Sequence, residues 1–271
     1  MKQSYLFSTV DQCQRWRDRQ GSYRVPSKEQ RFDPTLFEVE PLPDDTRPRA
    51  FVEQHHYSGS YPSARYRFGL RGAAGELVGV AVFSHPTQNS VLTNWLGGEA
   101  IESVELGRFV LLDHVKANAE TWFLARCFKK LKREGLRGVL AFSDPLPRRD
   151  QSGQLTLPGH IGTIYQAFNG VYLGRATART LRMLPNGRVM NDRTIQKIRS
   201  EERGFVYAAK QLEGFGAPPL STALSGRAWL AENLHRYTAS VRHRGNHRYG
   251  WALNGPQLES LGQFPKQIDA A

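Results

Sequence analysis

Cysteine is nearly absent: Cys13 and Cys127 are the only two in 271 residues. They stand in no metal or redox spacing, which excludes a disulfide framework, a thiolate zinc site and dithiol redox chemistry, and makes a reduced compartment the expected setting. No apolar run approaches the roughly 20 residues that cross a bilayer, and residues 1–10 lack the long apolar stretch of a secretory signal. No membrane partner is expected, and the cytoplasm is the expected location. The chain also lacks internal repeats, low-complexity tracts, and any helix-turn-helix or zinc-finger pattern. Acidic residues are in short supply, with 25 Asp and Glu against 37 Lys and Arg, a formal net charge of +12. An excess of that size attracts polyanions, so nucleic acid is the first partner to consider, although a merely basic enzyme has the same composition. Hydrophobic residues at 39% are enough to build a core, which excludes a disordered chain.

The apolar patterning that is present predicts alternating strands and helices. Residues 1–50 carry Pro26, Pro34, Pro41, Pro43 and Pro48 and read as an irregular arm. Arg65–Arg71 and Leu77–Phe83 read as a hairpin about the turn Ala73-Ala74-Gly75-Glu76. Glu102–Leu112 reads as a strand, and Asn118 opens a helix that Gly135 closes. Gly138–Phe142 is a short buried-looking strand ending at Ser143-Asp144-Pro145. A Pro- and Gly-rich loop leads to a short helix at Thr163–Phe168, ended by Asn169-Gly170, and to an extended run at Val171–Arg175. Pro185-Asn186-Gly187 marks a second hairpin, and Asp192 caps a helix through Arg199. Late strands at Tyr237–Val241 and Tyr249–Leu253 bracket a basic segment. The expected organisation is an arm over 1–50, an α/β catalytic domain over 51–200, and a basic C-terminal extension over 201–271 packed on or beside it.

Five groups of residues can carry chemistry. His55-His56-Tyr57-Ser58-Gly59-Ser60-Tyr61 gathers imidazole and phenol in one loop, groups that move protons near neutral pH or ligate metals. Glu105-Leu106-Gly107-Arg108 places an arginine in an apolar strand, where it needs an anionic partner. Asp144, at the end of the next strand, is the expected partner, with Glu105 on the opposite side of its strand. Asn118, Ala119, Glu120 and Thr121 start a helix whose amides and dipole suit pyrophosphate, although an ordinary Asn-capped helix reads the same way. Tyr165 can protonate a leaving group, hold a metal or simply pack under its helix. Arg242, Arg244, Asn246, His247 and Arg248 interleave cations with amide and aromatic neighbours in a pattern that suits phosphates and bases, with Arg148 and Arg149 adding charge.

In chain order, the first hairpin, the strand carrying Arg108, the long helix, the strand ending at Phe142-Ser143-Asp144-Pro145 and the Tyr165 helix resemble the GNAT acyltransferase plan. His56-Tyr57-Ser58, Leu106-Gly107-Arg108, Ser143-Asp144-Pro145 and Gly162-Thr163-Ile164-Tyr165 resemble more specifically the phage Mom DNA-modification family, over about Phe51 to Leu184. The resemblance implies a GNAT-like mixed central sheet flanked by helices. It implies an enzyme that converts adenine in double-stranded DNA to N6-carbamoylmethyladenine and so protects phage DNA from restriction, acting in the host cytoplasm. His56, Tyr57, Arg108, Ser143, Asp144 and Tyr165 would form its active site. It further implies an iron, for which His56 and Tyr165 are the candidate ligands. The small-molecule donor stays open, CoA or a CoA-linked compound being one option at Asn118–Thr121, where Val115-Lys116-Ala117-Asn118 stands in place of the usual Gly-rich loop. Two alternatives remain: a CoA-dependent N-acetyltransferase of another substrate, which equilibrium binding of acetyl-CoA would reveal, and a noncatalytic DNA-binding protein, which would bind DNA without making a new nucleoside.

Overall fold

The computed structural model describes residues 32–86, 88–116 and 118–269; most of the expected N-terminal arm, with Cys13, lies outside them. Residues 38–55 are not irregular: β1 (Glu38–Pro41) and α1 (Thr46–His55) form there. The prolines permit both because each sits where a missing N–H is harmless, Pro41 ending an edge strand and Pro48 lying in the first helical turn. β2 (Ala64–Arg71) and β3 (Leu77–Ser84) make the expected hairpin, and α2 (Ser90–Leu96) follows. Next come β4 (Ser103–Leu111), α3 (Ala119–Arg133) and β5 (Gly138–Ser143). A short hairpin of β6 (Arg148–Arg149) and β7 (Leu155–Leu157) precedes α4 (Thr163–Ala167) and β8 (Val171–Arg175). β9 (Arg179–Met183), β10 (Val189–Met190), α5 (Asp192–Arg199), α6 (Phe205–Glu213) and α7 (Gly226–Asn233) lead to β11 (Ala239–His243) and β12 (His247–Ala252).

These elements fall into two compact units, each drawn from separated stretches of chain rather than from the consecutive blocks 51–200 and 201–271. The first gathers the described residues up to Ser143 with Ile161–Gly174 and His247–Lys266. Its seven-stranded sheet runs β1-β2-β3-β4-β5-β12-β8. Neighbours from β1 to β4 are antiparallel, β4 and β5 are parallel, and β5 and β12 are antiparallel, so the sheet is mixed. The segment expected to belong to a C-terminal extension therefore supplies an interior strand. Its alternation explains why: Tyr249 and Trp251 join the core on one side while Gly250 packs against Leu140 and Leu173 on the other.

Helices cover both faces of this sheet. Phe123, Leu124, Cys127, Phe128 and Leu131 recur at helical spacing along α3 and pack with Phe83, Leu106, Val139 and Ala141. Phe51 and Val52 of α1 pack on the opposite face with Val80, Val82 and Val110. Each buried Val, Leu or Phe among these contributes roughly 1.5–3 kcal/mol of transfer free energy. Cys127 is a buried free thiol within that core.

The second unit gathers Asp144–His160, Arg175–Asn246 and the described residues from Gln267. It has a three-stranded antiparallel sheet, β10-β9-β11, and a helical core built from Ile195, Ile198, Leu212, Trp229 and Leu230. Among the described residues no helix is long and apolar enough to cross a membrane.

Candidate functional site

The first unit's polar cluster begins with an irregularity in β4. Val82 lies opposite Arg108 and Phe83 opposite Leu106, so Gly107 is an extra residue with no partner on β3. A bulge of this kind breaks the two-residue alternation of side chains. Glu105, opposite Ser84, and Arg108, opposite Val82, consequently project to the same side of the sheet, which corrects the expectation that they face apart. Gly107 is required there: a Cβ would sit 2.4 Å from Ser84 Oγ and 3.2 Å from Pro62 Cγ. A glycine inside an apolar strand pattern was the available signal for the bulge, and through it for Glu105.

Arg108 is not held by Asp144. Its Nε donates to Ser60 O and its Nη2 to Ser60 Oγ, both at 2.8 Å, while Nη1 donates to Gly107 O at 2.5 Å. These bonds tie the loop after α1 to the bulge. In that loop His56 ends α1 through its N–H to Val52 O at 2.8 Å, and its ring lies against Tyr57 with centroids 4.2 Å apart. His56 Nδ1 accepts the Ser58 N–H at 3.1 Å and lies 2.9 Å from Ser58 Oγ, which favours the tautomer with its proton on Nε2.

Electrostatics join this loop and strand to α4. Burial raises Glu105 from the ordinary 4.5 to about 7, against the opposing charge of Arg108. Burial lowers the pKa of Arg108, offset by Tyr57, Glu105 and Tyr165. Burial raises Tyr165 well above the usual phenol range, reinforced by Tyr57 and Glu105 and opposed by Arg108, so its hydroxyl stays a protonated donor. Arg108 and Tyr165 thus each sit within the field of Tyr57 and of Glu105. Tyr165 is seated by aromatic contacts with Tyr249 at 5.5 Å and Trp251 at 5.9 Å between centroids. Gly162, at φ +78°, begins α4 and admits this packing: a Cβ there would meet the rings of Tyr249 and Tyr165 within 2.8 Å and Ser143 Oγ at 3.2 Å. Ser143 itself is fully buried at the end of β5.

Asp144 has other partners, all in the second unit. Its Oδ1 accepts from Leu146 N at 3.1 Å and from the buried His243 Nε2 at 2.9 Å, and its Oδ2 pairs with Arg148. Gly245 N–H donates to His243 Nδ1 at 2.9 Å, which places the ring proton on Nε2, facing the carboxylate. Burial alone would raise the Asp144 pKa, but the His243 hydrogen bond and the Arg148 charge carry it below its ordinary value. Arg148, expected to meet DNA, is therefore committed to Asp144.

The other expected DNA contacts divide. Arg149, Arg242 and Arg244 are exposed, while His247 and Arg248 are buried within β12. β11 pairs with β9 and β12 with β5, so the two strands are in different sheets, linked by Arg244-Gly245-Asn246. Arg248 donates from Nη1 to Leu173 O at 3.1 Å and lies over the Trp95 ring at 4.1 Å. At the start of α3, Asn118 is left-handed at φ 72° and its side chain forms no capping bond, unlike the Asn cap expected; Ala119 is buried, and Thr121 Oγ1 donates to Asn118 O at 3.2 Å. Glu120 lies in the first turn of that helix.

His56 Nδ1 is engaged by Ser58, and among the described residues no three His, Cys, Asp or Glu gather closely enough to hold a metal ion. Among known proteins, the family model described as the Mom protein family matches residues 37–254. No curated protein matches the chain. Similar solved structures include the GNAT family N-acetyltransferase YhbS from Escherichia coli in complex with CoA, 13% identical over 52% of this chain and 72% of that one, with a TM-score of 0.34. Spermidine N-acetyltransferase from Vibrio cholerae is 10% identical over 53% of this chain and 84% of that one, at 0.34. A tandem GNAT protein from the clavulanic acid biosynthesis pathway is 9% identical over 82% and 99%, at 0.41.

Proposed function

The chain belongs to the Mom protein family, and on that premise we propose that it is a transferase that converts adenine in double-stranded DNA to N6-carbamoylmethyladenine and so shields phage DNA from restriction. The observation that carries the chemistry is the pair Glu105 and Arg108, turned to one side of the sheet by the Gly107 bulge, with Tyr57 and Tyr165 in electrostatic reach of Arg108. The adenine amino group is a poor nucleophile because its lone pair is delocalised into the ring. In a duplex it is also paired and stacked, so the base leaves the stack at a cost of a few kcal/mol. In this reading Tyr57, an exposed ring beside His56, receives it.

Glu105 is the proton acceptor in this reading. A carboxylate with a pKa of about 7 is half ionised at neutral pH, and general bases work best when matched to the operating pH. As the bond from N6 to carbon forms, the bond from that carbon to the donor's leaving group breaks with its electron pair, and N6 sheds one proton to Glu105. Arg108, oriented by Ser60, offsets negative charge on the donor, and the protonated Tyr165 donates a hydrogen bond toward the same centre. Nucleoside mass spectrometry of DNA from cells expressing the protein tests this reading. A new adenine species is expected; only ordinary nucleosides, with soluble protein present, would refute it.

A further inference from the structure

The arginines of the second unit are of two kinds. Arg148, Arg175 and Arg193 are each paired with a carboxylate, on Asp144, Asp269 and Glu202. Among the described residues Arg182, Arg242 and Arg244 have no carboxylate within ion-pair reach. The unit as a whole holds fifteen Lys and Arg against eight Asp and Glu, so this freedom accompanies a net positive charge.

The strand register brings two of these three, Arg182 and Arg242, onto one face. Thr180 lies opposite Arg242 and Arg182 opposite Ser240. Leu181, Met183 and Val241 pack with Leu146 on one side of the sheet, so Thr180, Arg182, Ser240 and Arg242 project from the other. On β10 that outer side is closed by Met190, which belongs to the α5–α7 core; the open part is β9 and the edge strand β11. Arg182 Nη1 donates to Ser240 Oγ at 2.5 Å and lies 3.1 Å from His235 Nδ1, so a hydroxyl and an imidazole, with no carboxylate, orient its guanidinium. Arg182 and Arg242 are diagonal neighbours, roughly 7–8 Å apart at their backbones. Arg244 is exposed just beyond β11.

We propose that this outer face of β9 and β11 is the surface on which the chain grips the phosphate backbone of duplex DNA, an inference that rests on the DNA-modifying function above. Guanidinium and hydroxyl groups at this spacing match phosphate oxygens, which accept both. The four projecting positions include no aromatic side chain, so the face has no platform for stacking unpaired bases and suits a duplex backbone rather than a single strand.

The test measures binding of the full chain to a 20-base-pair duplex by fluorescence anisotropy between 50 and 200 mM salt. Each neutralised phosphate contributes about 0.9 to the slope of log affinity against log salt. Combined Arg182→Gln and Arg242→Gln should lower the slope by about 2 and weaken binding on the order of 50-fold at 0.1 M salt. Arg242→Lys should keep the slope, and Arg193→Gln, which alters a paired arginine, should leave it unchanged. If the double variant does not fold, Arg242→Gln alone should lower the slope by about 1. An unchanged slope in a folded variant, with the wild type binding duplex and yielding modified adenine, overturns this surface and leaves the proposed function standing. A wild type that binds no duplex overturns both, and equal affinity for a single strand overturns the duplex-backbone assignment.

Discussion

Replacing Glu105 with Gln removes the charge from the one carboxyl group held near neutrality in the first unit's polar cluster. In the folded chain Glu105 binds its proton more tightly than it does when unfolded, its pKa rising from 4.5 to about 7 through burial. Stability therefore falls as pH rises between those values, and above about 7 the penalty for the buried charge is constant. At 1.36 kcal/mol per pKa unit the shift corresponds to at most about 3 kcal/mol. Glu105→Gln should thus melt close to wild type near pH 4.5 and, at pH 8, higher by up to about 6–12 °C. Calorimetric melting of both proteins from pH 5 to 8 measures the difference directly. The same substitution should cut modified adenine in cellular DNA by about 100-fold or more, the usual contribution of a general base. In buffered extract that supplies the donor, it should also abolish the rise of wild-type activity through pH 7. A melting difference that does not change with pH would show that Glu105 is not a strained carboxylate, and undiminished modification would remove it from the chemistry.

Three further substitutions probe the framework. Tyr165→Phe keeps the aromatic contacts to Tyr249 and Trp251 and removes only the hydroxyl; unchanged melting with loss of the modified nucleoside is expected, and unchanged modification would refute its donor role. Gly107→Ala forces a methyl onto Ser84 Oγ and should destabilise by about 1–3 kcal/mol in denaturant titration, partly restored by adding Ser84→Ala. Asp144→Asn breaks a half-buried pair and should cost about 3 kcal/mol at pH 7. Because the pKa of Asp144 is lowered in the folded state, its contribution is present above the unfolded value and is lost as pH falls through the folded one. The wild type should accordingly lose this stability below about pH 4, whereas the variant shows no corresponding loss.

Elements whose periodicity and stop signals agree were legible from the sequence. The α3 stripe ending at Gly135, the Leu77–Phe83 strand, the Asn169-Gly170 stop after α4 and the Pro185-Asn186-Gly187 turn all encode their structure locally. So does the helix starting at Asp192, where Asn191 rather than Asp192 provides the cap. What local pattern did not reveal depends on partners distant in the chain. Pro41 and Pro48 look like breakers until β1 is known to be an edge strand and Pro48 to lie in a first helical turn. The basic character of residues 242–248 concealed a switch between sheets, made possible by Gly245, where a Cβ would lie 1.9 Å from Ala176 O. Arg108 was legible as an arginine needing a partner. That its partner is Ser60, and that Glu105 shares its side, depends on a single unpaired glycine whose effect appears only once β3 is laid alongside.

The interior position of β12 sets an order on biosynthesis. Its neighbours β5 and β8 leave the ribosome some seventy or more residues earlier and have no common strand to join until residue 252 is made. During that interval the nascent chain carries two open hydrogen-bonding edges, the kind that recruit other polypeptides. A premature stop before Tyr249 would leave that condition permanent, so truncated products should partition to chaperones or inclusion bodies even though every residue of the Glu105 cluster has already been translated.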